Sequence, residues 1–158
     1  MTTDLKPLAM DSAMVDPIVG SDYPEPFDRP CAGRERRVLG DPFGLTQFGV
    51  NLLTLPPGAW SSQRHWHPEE DEFVYVLEGE VMLITDRGEQ ILTKGMVAGF
   101  PAGDRDGHHL VNRSDRPVRA LEVGTRTARE LAEYADIDMK VETQNGVSRF
   151  MRKSGEPY

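Results

Sequence analysis

From Gln47 to Leu55 (QFGVNLLTL) the chain is mostly apolar, and the run stops at Pro56-Pro57-Gly58, as a strand ended by turn chemistry does. Glu72 to Leu77 (EFVYVL) and Val81 to Thr85 (VMLIT) read the same way. The second of these turns at Asp86-Arg87-Gly88 into Glu89 to Leu92, a short hairpin. Gly95, Gly99, Pro101 and Gly103 punctuate the next stretch. His108 to Asn112 and Val118 to Val123 predict two more strands, and Lys140 to Thr143 and Val147 to Arg152 flank the hairpin signal Asn145-Gly146. Thr127 to Tyr134 (TARELAEY) holds helix formers but is short and poorly amphipathic, so its pattern leaves helix and strand open. Many short strands with Gly/Pro turns predict an all-β sandwich or barrel.

Alternation within EFVYVL places Glu72, Val74 and Val76 on one face and Phe73, Tyr75 and Leu77 on the other. A strand apolar on both faces belongs inside a double layer or at a subunit contact. Residues 1–30 hold five of the twelve prolines, each lacking a ladder donor. This predicts an extended arm over 1–37, a strand-bearing body over 38–125, and an extension over 126–158 whose hairpin packs on the body. The arm together with Phe73, Tyr75 and Leu77 makes a homodimer the expected assembly.

Length and charge narrow the function. At 158 residues the chain suits one domain, and 18 basic against 26 acidic residues give a net charge of −8. That balance argues against a nucleic-acid partner, which needs a basic face. No apolar stretch approaches a membrane span, and MTTDLKPLAM lacks the apolar run of a secretory signal, so a cytoplasmic, membrane-free protein is expected. Cys31, alone, permits no intrachain disulfide and no cysteine-rich zinc site.

The four histidines fall in two close pairs, His65 with His67 and His108 with His109. Extended residues two apart share a face, with Cα atoms about 6.5–7 Å apart, so the rings of His65 and His67 can reach one ion while Trp66 faces away. The polar turn Pro68-Glu69-Glu70-Asp71 lets the chain reverse and bring Glu72 to the same place. The bland reading makes Glu72 one acid among several, with Asp71 the competing ligand; its phase with Val74 and Val76 points it inward, where a carboxylate needs a partner. Only one of His108 and His109 can face the site, and parity does not say which. Asn112 reads best as a turn or strand-end residue. Arg64 and Arg105 flank the histidines and could meet a ligand carboxylate or phosphate, or be solvated rim charges. There is no nucleophile elbow, phosphate-cradling loop or dinucleotide fingerprint.

These spacings resemble the two motifs of the cupin superfamily. The first runs His65-Trp66-His67, Glu72, Gly79 (HWHPEEDEFVYVLEG) and the second Gly95, Pro101, Gly103, His108, Asn112 (GMVAGFPAGDRDGHHLVN), over about Gln47 to Val123. The interval between Gly103 and His108 is longer than the usual motif, and His108 is chosen over His109 by its distance to Asn112. The resemblance implies an antiparallel, double-layered jelly-roll barrel and one divalent ion (Zn, Mn, Fe or Ni) on His65, His67, Glu72 and His108. It further implies a small-molecule ligand. The expected function is a metal-dependent enzyme acting on a small oxygenated molecule, of isomerase, dioxygenase or lyase type. The competing expectation is a non-catalytic module that binds or senses a sugar or carboxylate.

Overall fold

The computed structural model describes residues 6–158. The first five residues of the expected arm lie outside the described residues. Glycine turns and β-branched runs produce antiparallel strands throughout. The largest sheet has six, β1 (Ile18–Val19), β2 (Glu35–Val38), β3 (Phe48–Leu55), β5 (Glu72–Glu78), β8 (Val97–Phe100) and β10 (Val118–Thr125), in the order β1-β2-β3-β10-β5-β8. A four-stranded sheet orders β13 (Val147–Met151), β12 (Lys140–Gln144), β11 (Arg129–Tyr134) and β4 (His65–Trp66). The third sheet is β7 (Gly88–Thr93), β6 (Glu80–Thr85) and β9 (His109–Val111).

The main core fills the space between the six-stranded and three-stranded sheets: Leu53, Leu55, Val74, Val76, Val118 and Ala120 meet Val81, Leu92 and Leu110. A second cluster, Ala132, Tyr134, Met139 and Val141, packs with Tyr23, Phe27 and Phe150 beside the four-stranded sheet. The architecture is a jelly-roll sandwich whose sheets do not close into a continuous barrel. Among the described residues, no helix is long and apolar enough to cross a membrane.

Three places differ from the local pattern. Thr127 to Tyr134 resolves as strand β11 because it is held on both edges, by β12 from Arg129 to Glu133 and by β4 at Glu133 and Tyr134. Cross-strand pairing overrides a weak helical propensity. The glycine-punctuated stretch carries β8, paired with β5 from Glu72↔Phe100 to Tyr75↔Val97. Within residues 1–37, β2 pairs with β3 and β1 with β2, extending the sheet edge.

Strand β5 alternates as expected, with Val74 and Val76 buried inside. Phe73 and Tyr75 stay 41% and 39% exposed on the outer face, so no second layer among the described residues covers them.

Candidate metal centre

The inner face of the six-stranded sheet can be read in rungs. Glu72 opens β5 and pairs with Gly124 on β10, which pairs with Gly49 on β3. Neither glycine puts a side chain beside Glu72. The next rung inward holds Val74, Glu122 and Asn51. Opposite, β4 brings up His65 and His67, whose rings lie 4.9 Å apart. His65 bridges directly to His108, each backbone N–H donating to the other's carbonyl, at 3.1 and 2.8 Å. Residues paired across an antiparallel bridge share a face, so their rings also sit 4.9 Å apart. Phe100, in register with Glu72, stacks flat on His108 at 3.5 Å.

These side chains meet at one atom. Glu72 Oε2 lies 2.6 Å from His108 Nε2 and 3.5 Å from Nε2 of both His65 and His67. The donor atoms of His65, His67 and Glu72 lie within 4.8 Å of one another, and His108 joins them through Glu72. Nδ1 of His65 faces the Gln63 carbonyl at 2.9 Å, and Nδ1 of His67 faces the Leu131 carbonyl at 3.0 Å. A carbonyl only accepts, so the proton of each neutral ring sits on Nδ1 and the Nε2 lone pair is turned inward. Nδ1 of His108 is buried without a partner among the described residues. Three imidazoles with one carboxylate, two of the rings already in the ligating tautomer, fit a divalent first-row ion.

The charges agree with a tight cluster. Burial would raise the Glu72 pKa, but the facing imidazoles of His108, His65 and His67 hold it well below the usual carboxylate range. Burial disfavours charge on His67 too, yet Glu72 and Glu130 outweigh it and raise the pKa. At His108 burial prevails and lowers it.

The cluster opens into a cavity of about 300 Å³. Its walls carry Tyr23 and Tyr134, Arg36, Asn51, Glu122 and Glu130. Arg36 forms a two-pronged ion pair with Glu122, at 2.7 and 2.9 Å. Glu130 stands 3.9 Å from His67 Nδ1. Burial first, and then Glu70, raise its pKa.

Other candidates from the sequence do not join the contacts at Glu72, although His109 also borders the cavity. Asp71 points to the loop backbone, accepting from Ala102 N–H at 2.8 Å. His109 faces the Ser62 carbonyl at 3.0 Å and packs edge-on against Trp60, away from Glu72. Asn112 is fully buried and ties two loops together. Arg64 pairs with Asp136 and Asp86 and donates to the Gly107 carbonyl; Arg105 lies over the Trp66 ring. Arg36, Glu122 and Glu130 were missed. Arg36 belongs to Glu-Arg-Arg-Val, which has no strand alternation, and Glu130 to the segment with no clear period. The one available signal was Glu122, a carboxylate between Leu121 and Val123 in phase with Ala120.

A jelly-roll sandwich with three imidazoles and a carboxylate converging in its cup defines a class of small β-proteins built around an ion site. The cupin domain family profile matches residues 51–124. A sugar phosphate isomerase from a cupin superfamily, from Silicibacter pomeroyi DSS-3, shares 47% identity over 95% of this chain and 96% of its own, with a TM-score of 0.91. The chain therefore belongs to the cupin superfamily. A sugar phosphate isomerase candidate from Acidithiobacillus ferrooxidans shares 27% identity over 80% of this chain and 81% of its own, with a TM-score of 0.72. The polyketide cyclase RemF from Streptomyces resistomycificus shares the fold at 24% identity, covering 74% of this chain and 78% of its own, with a TM-score of 0.59. No curated protein sequence matches the chain.

Proposed function

We propose that this protein is a metal-dependent isomerase of sugar phosphates, with one divalent first-row ion on His65, His67, Glu72 and His108. The observation that carries the reading is the convergence of three Nε2 atoms on one Glu72 oxygen, inside a cavity that also presents a separate carboxylate, Glu130. The high identity to a sugar phosphate isomerase over nearly the whole chain supports the substrate class.

A bound cation would polarise a sugar carbonyl and its neighbouring hydroxyl and offset the charge that develops on their oxygens. The chain's own residues do the rest. The carbonyls of Gln63 and Leu131 hold the ring protons on Nδ1, which keeps two ligating lone pairs aimed inward without reorganisation. Glu130 takes a proton from the hydroxyl-bearing carbon beside the carbonyl and returns it to the former carbonyl carbon, while the proton of that hydroxyl passes to the former carbonyl oxygen. Aldose and ketose thereby interconvert with no net change of atoms. Tyr23, Tyr134 and Phe100 wall the cavity and limit water around the transferred proton. The other reading, a sugar- or carboxylate-binding module without turnover, needs no such carboxylate, and Glu130 favours the enzyme.

Two measurements test this. Elemental analysis of protein purified without added metal is expected to find about one divalent first-row ion per chain. His65→Ala, His67→Ala and His108→Ala each lose most of it, His109→Ala keeps it, and uptake weakens below about pH 6.5 because a protonated imidazole has no free lone pair. Metal-loaded protein interconverts an aldose phosphate and its ketose in an NMR assay, and Glu130→Gln stops this by 100-fold or more, roughly, at unchanged metal content. A metal-free protein, or metal kept in all three histidine variants, sinks the ion site. Full turnover in Glu130→Gln removes the assigned base.

A further inference from the structure

Three arginines reach the cavity that holds the histidine cluster: Arg34, Arg36 and Arg126. Their hydrogen bonds separate them. Arg34 spends its donors on the chain itself, Nε and Nη2 on the Gly20 carbonyl and Nη1 on the Ser61 carbonyl. It staples the N-terminal segment to the sheet. Arg126 gives Nη1 to the Leu45 carbonyl and Nη2 to Asp41 at the rim. Arg36 gives one edge, Nε and Nη2, to Glu122, and among the described residues its Nη1 meets no partner. The Asn51 amide, on the same inner face and directly opposite Glu122, meets none either.

Glu122 and Arg36 are only 20% and 26% exposed. Removing such a pair from water offsets much of its attraction. Its position gives it a use. Glu72 stands on β5 and Asn51 on β3, two strand spacings away or about 10 Å. Gly124 and Gly49 add no side chains of their own, so a gap opens beside Glu72 and narrows only at Gly49, where the Arg126 Nε would lie 3.3 Å from a Cβ. An extended pentose or hexose phosphate has the length to run along that gap, its carbonyl end at the histidines and its charged end at Arg36.

We propose that Arg36, assisted by Asn51, binds the anionic end of the ligand, a phosphate monoester or a carboxylate, while the opposite end reaches the His65, His67, Glu72 and His108 cluster. This rests on reading that cluster as the reacting end. Glu122 holds the guanidinium flat against the wall and balances its charge when the cup is empty. The free edge presents N–H donors in the planar arrangement that an oxyanion accepts, which a lysine ammonium does not match.

The test uses the full, metal-loaded chain and calorimetric titration with three probes: ribose carrying a terminal phosphate, ribose, and ribonate. Wild type is expected to bind the phosphorylated sugar about tenfold or more tighter than ribose, from one charge-assisted contact. If the natural group is a carboxylate, ribonate shows that gain instead. Arg36→Met removes the gain at unchanged metal content, and Arg36→Lys keeps part of it. Should Arg36→Met fail to fold, the lysine variant decides. An undiminished gain in the folded variants overturns the subsite, and so does a wild type that prefers neither anion. A gain that survives intact in metal-free His65→Ala leaves Arg36 standing and counts against the cluster reading alone.

Discussion

Asn112 shows how much one buried side chain does in this fold. Its amide nitrogen donates to the carbonyls of Leu55 and Arg116, at 2.8 and 2.7 Å, and its oxygen accepts from Ser114 N–H and Oγ at 2.9 and 2.7 Å. The same residue type that suggested a strand end thus closes the β9–β10 loop and anchors it to β3. Asn112→Ala takes the side-chain donor from the buried Leu55 carbonyl and the acceptor from Ser114 N–H, so thermal or denaturant unfolding is expected to show a loss of about 1–3 kcal/mol. A loss below half a kilocalorie would mean that the loop is held by something else. The histidines obey a similar logic of neighbours. His108 and His109 are adjacent in sequence and chemically identical, yet the bridge to His65 assigns one to the Glu72 cluster and leaves the other against Trp60.

Among the elements, the turn between β5 and β6 is tightly constrained. A single residue, Gly79, separates the two strands, at φ +80°, and a Cβ there would stand 2.9 Å from the Pro117 carbonyl oxygen. Gly58 has nearly the same φ, +81°, but open space around it. Both alanine substitutions carry the left-handed penalty of about 1–2 kcal/mol. Gly79→Ala adds a backbone collision, so its melting temperature should fall further than that of Gly58→Ala. Equal shifts would show that the β5–β6 turn relaxes freely. Strand β11 teaches the complementary lesson: a segment with no clear period becomes ordered because β4 and β12 offer partners on both edges. Once paired, it supplies the Leu131 carbonyl that orients His67 and the Glu130 carboxylate of the cavity.

Across the whole molecule, the N-terminal segment and the four-stranded sheet form a second packing unit beside the main core. Tyr23 meets Tyr134 edge-on at 5.5 Å and Phe150 at 5.7 Å. Burial raises both phenol pKa values, and at Tyr134 the nearby Tyr23 adds to it. Folding therefore favours the neutral phenols. The stability they contribute is complete below about pH 10, the unfolded value, and declines as pH rises beyond it. Base titration of the folded protein should show phenolate absorbance from these two residues only as the chain unfolds, and Tyr23→Phe with Tyr134→Phe should move base unfolding to higher pH. Phenolate signal from Tyr23 appearing in a still-folded chain near pH 10 would refute the buried contact.

Much of this was readable from local order. Strand alternation has a period of two residues, so the inward phase of Glu72 with Val74 and Val76, and of His65 with His67, follows from spacing alone. The hairpins at Gly88 and at Asn145-Gly146 are equally local, since their glycines and asparagine take positive φ. The cupin motifs rest on the same short-range regularities. Long-range pairing had no such signature. The choice between His108 and His109 depends on a bridge between residues 43 positions apart, and the Arg36–Glu122 pair spans 86. Glu130 entered the cavity because β4 and β12 made its segment a strand. Which face of a strand a residue occupies is settled between neighbours along the chain; which residues share a cavity is settled by the register between strands, and that register emerges only when the sheets assemble.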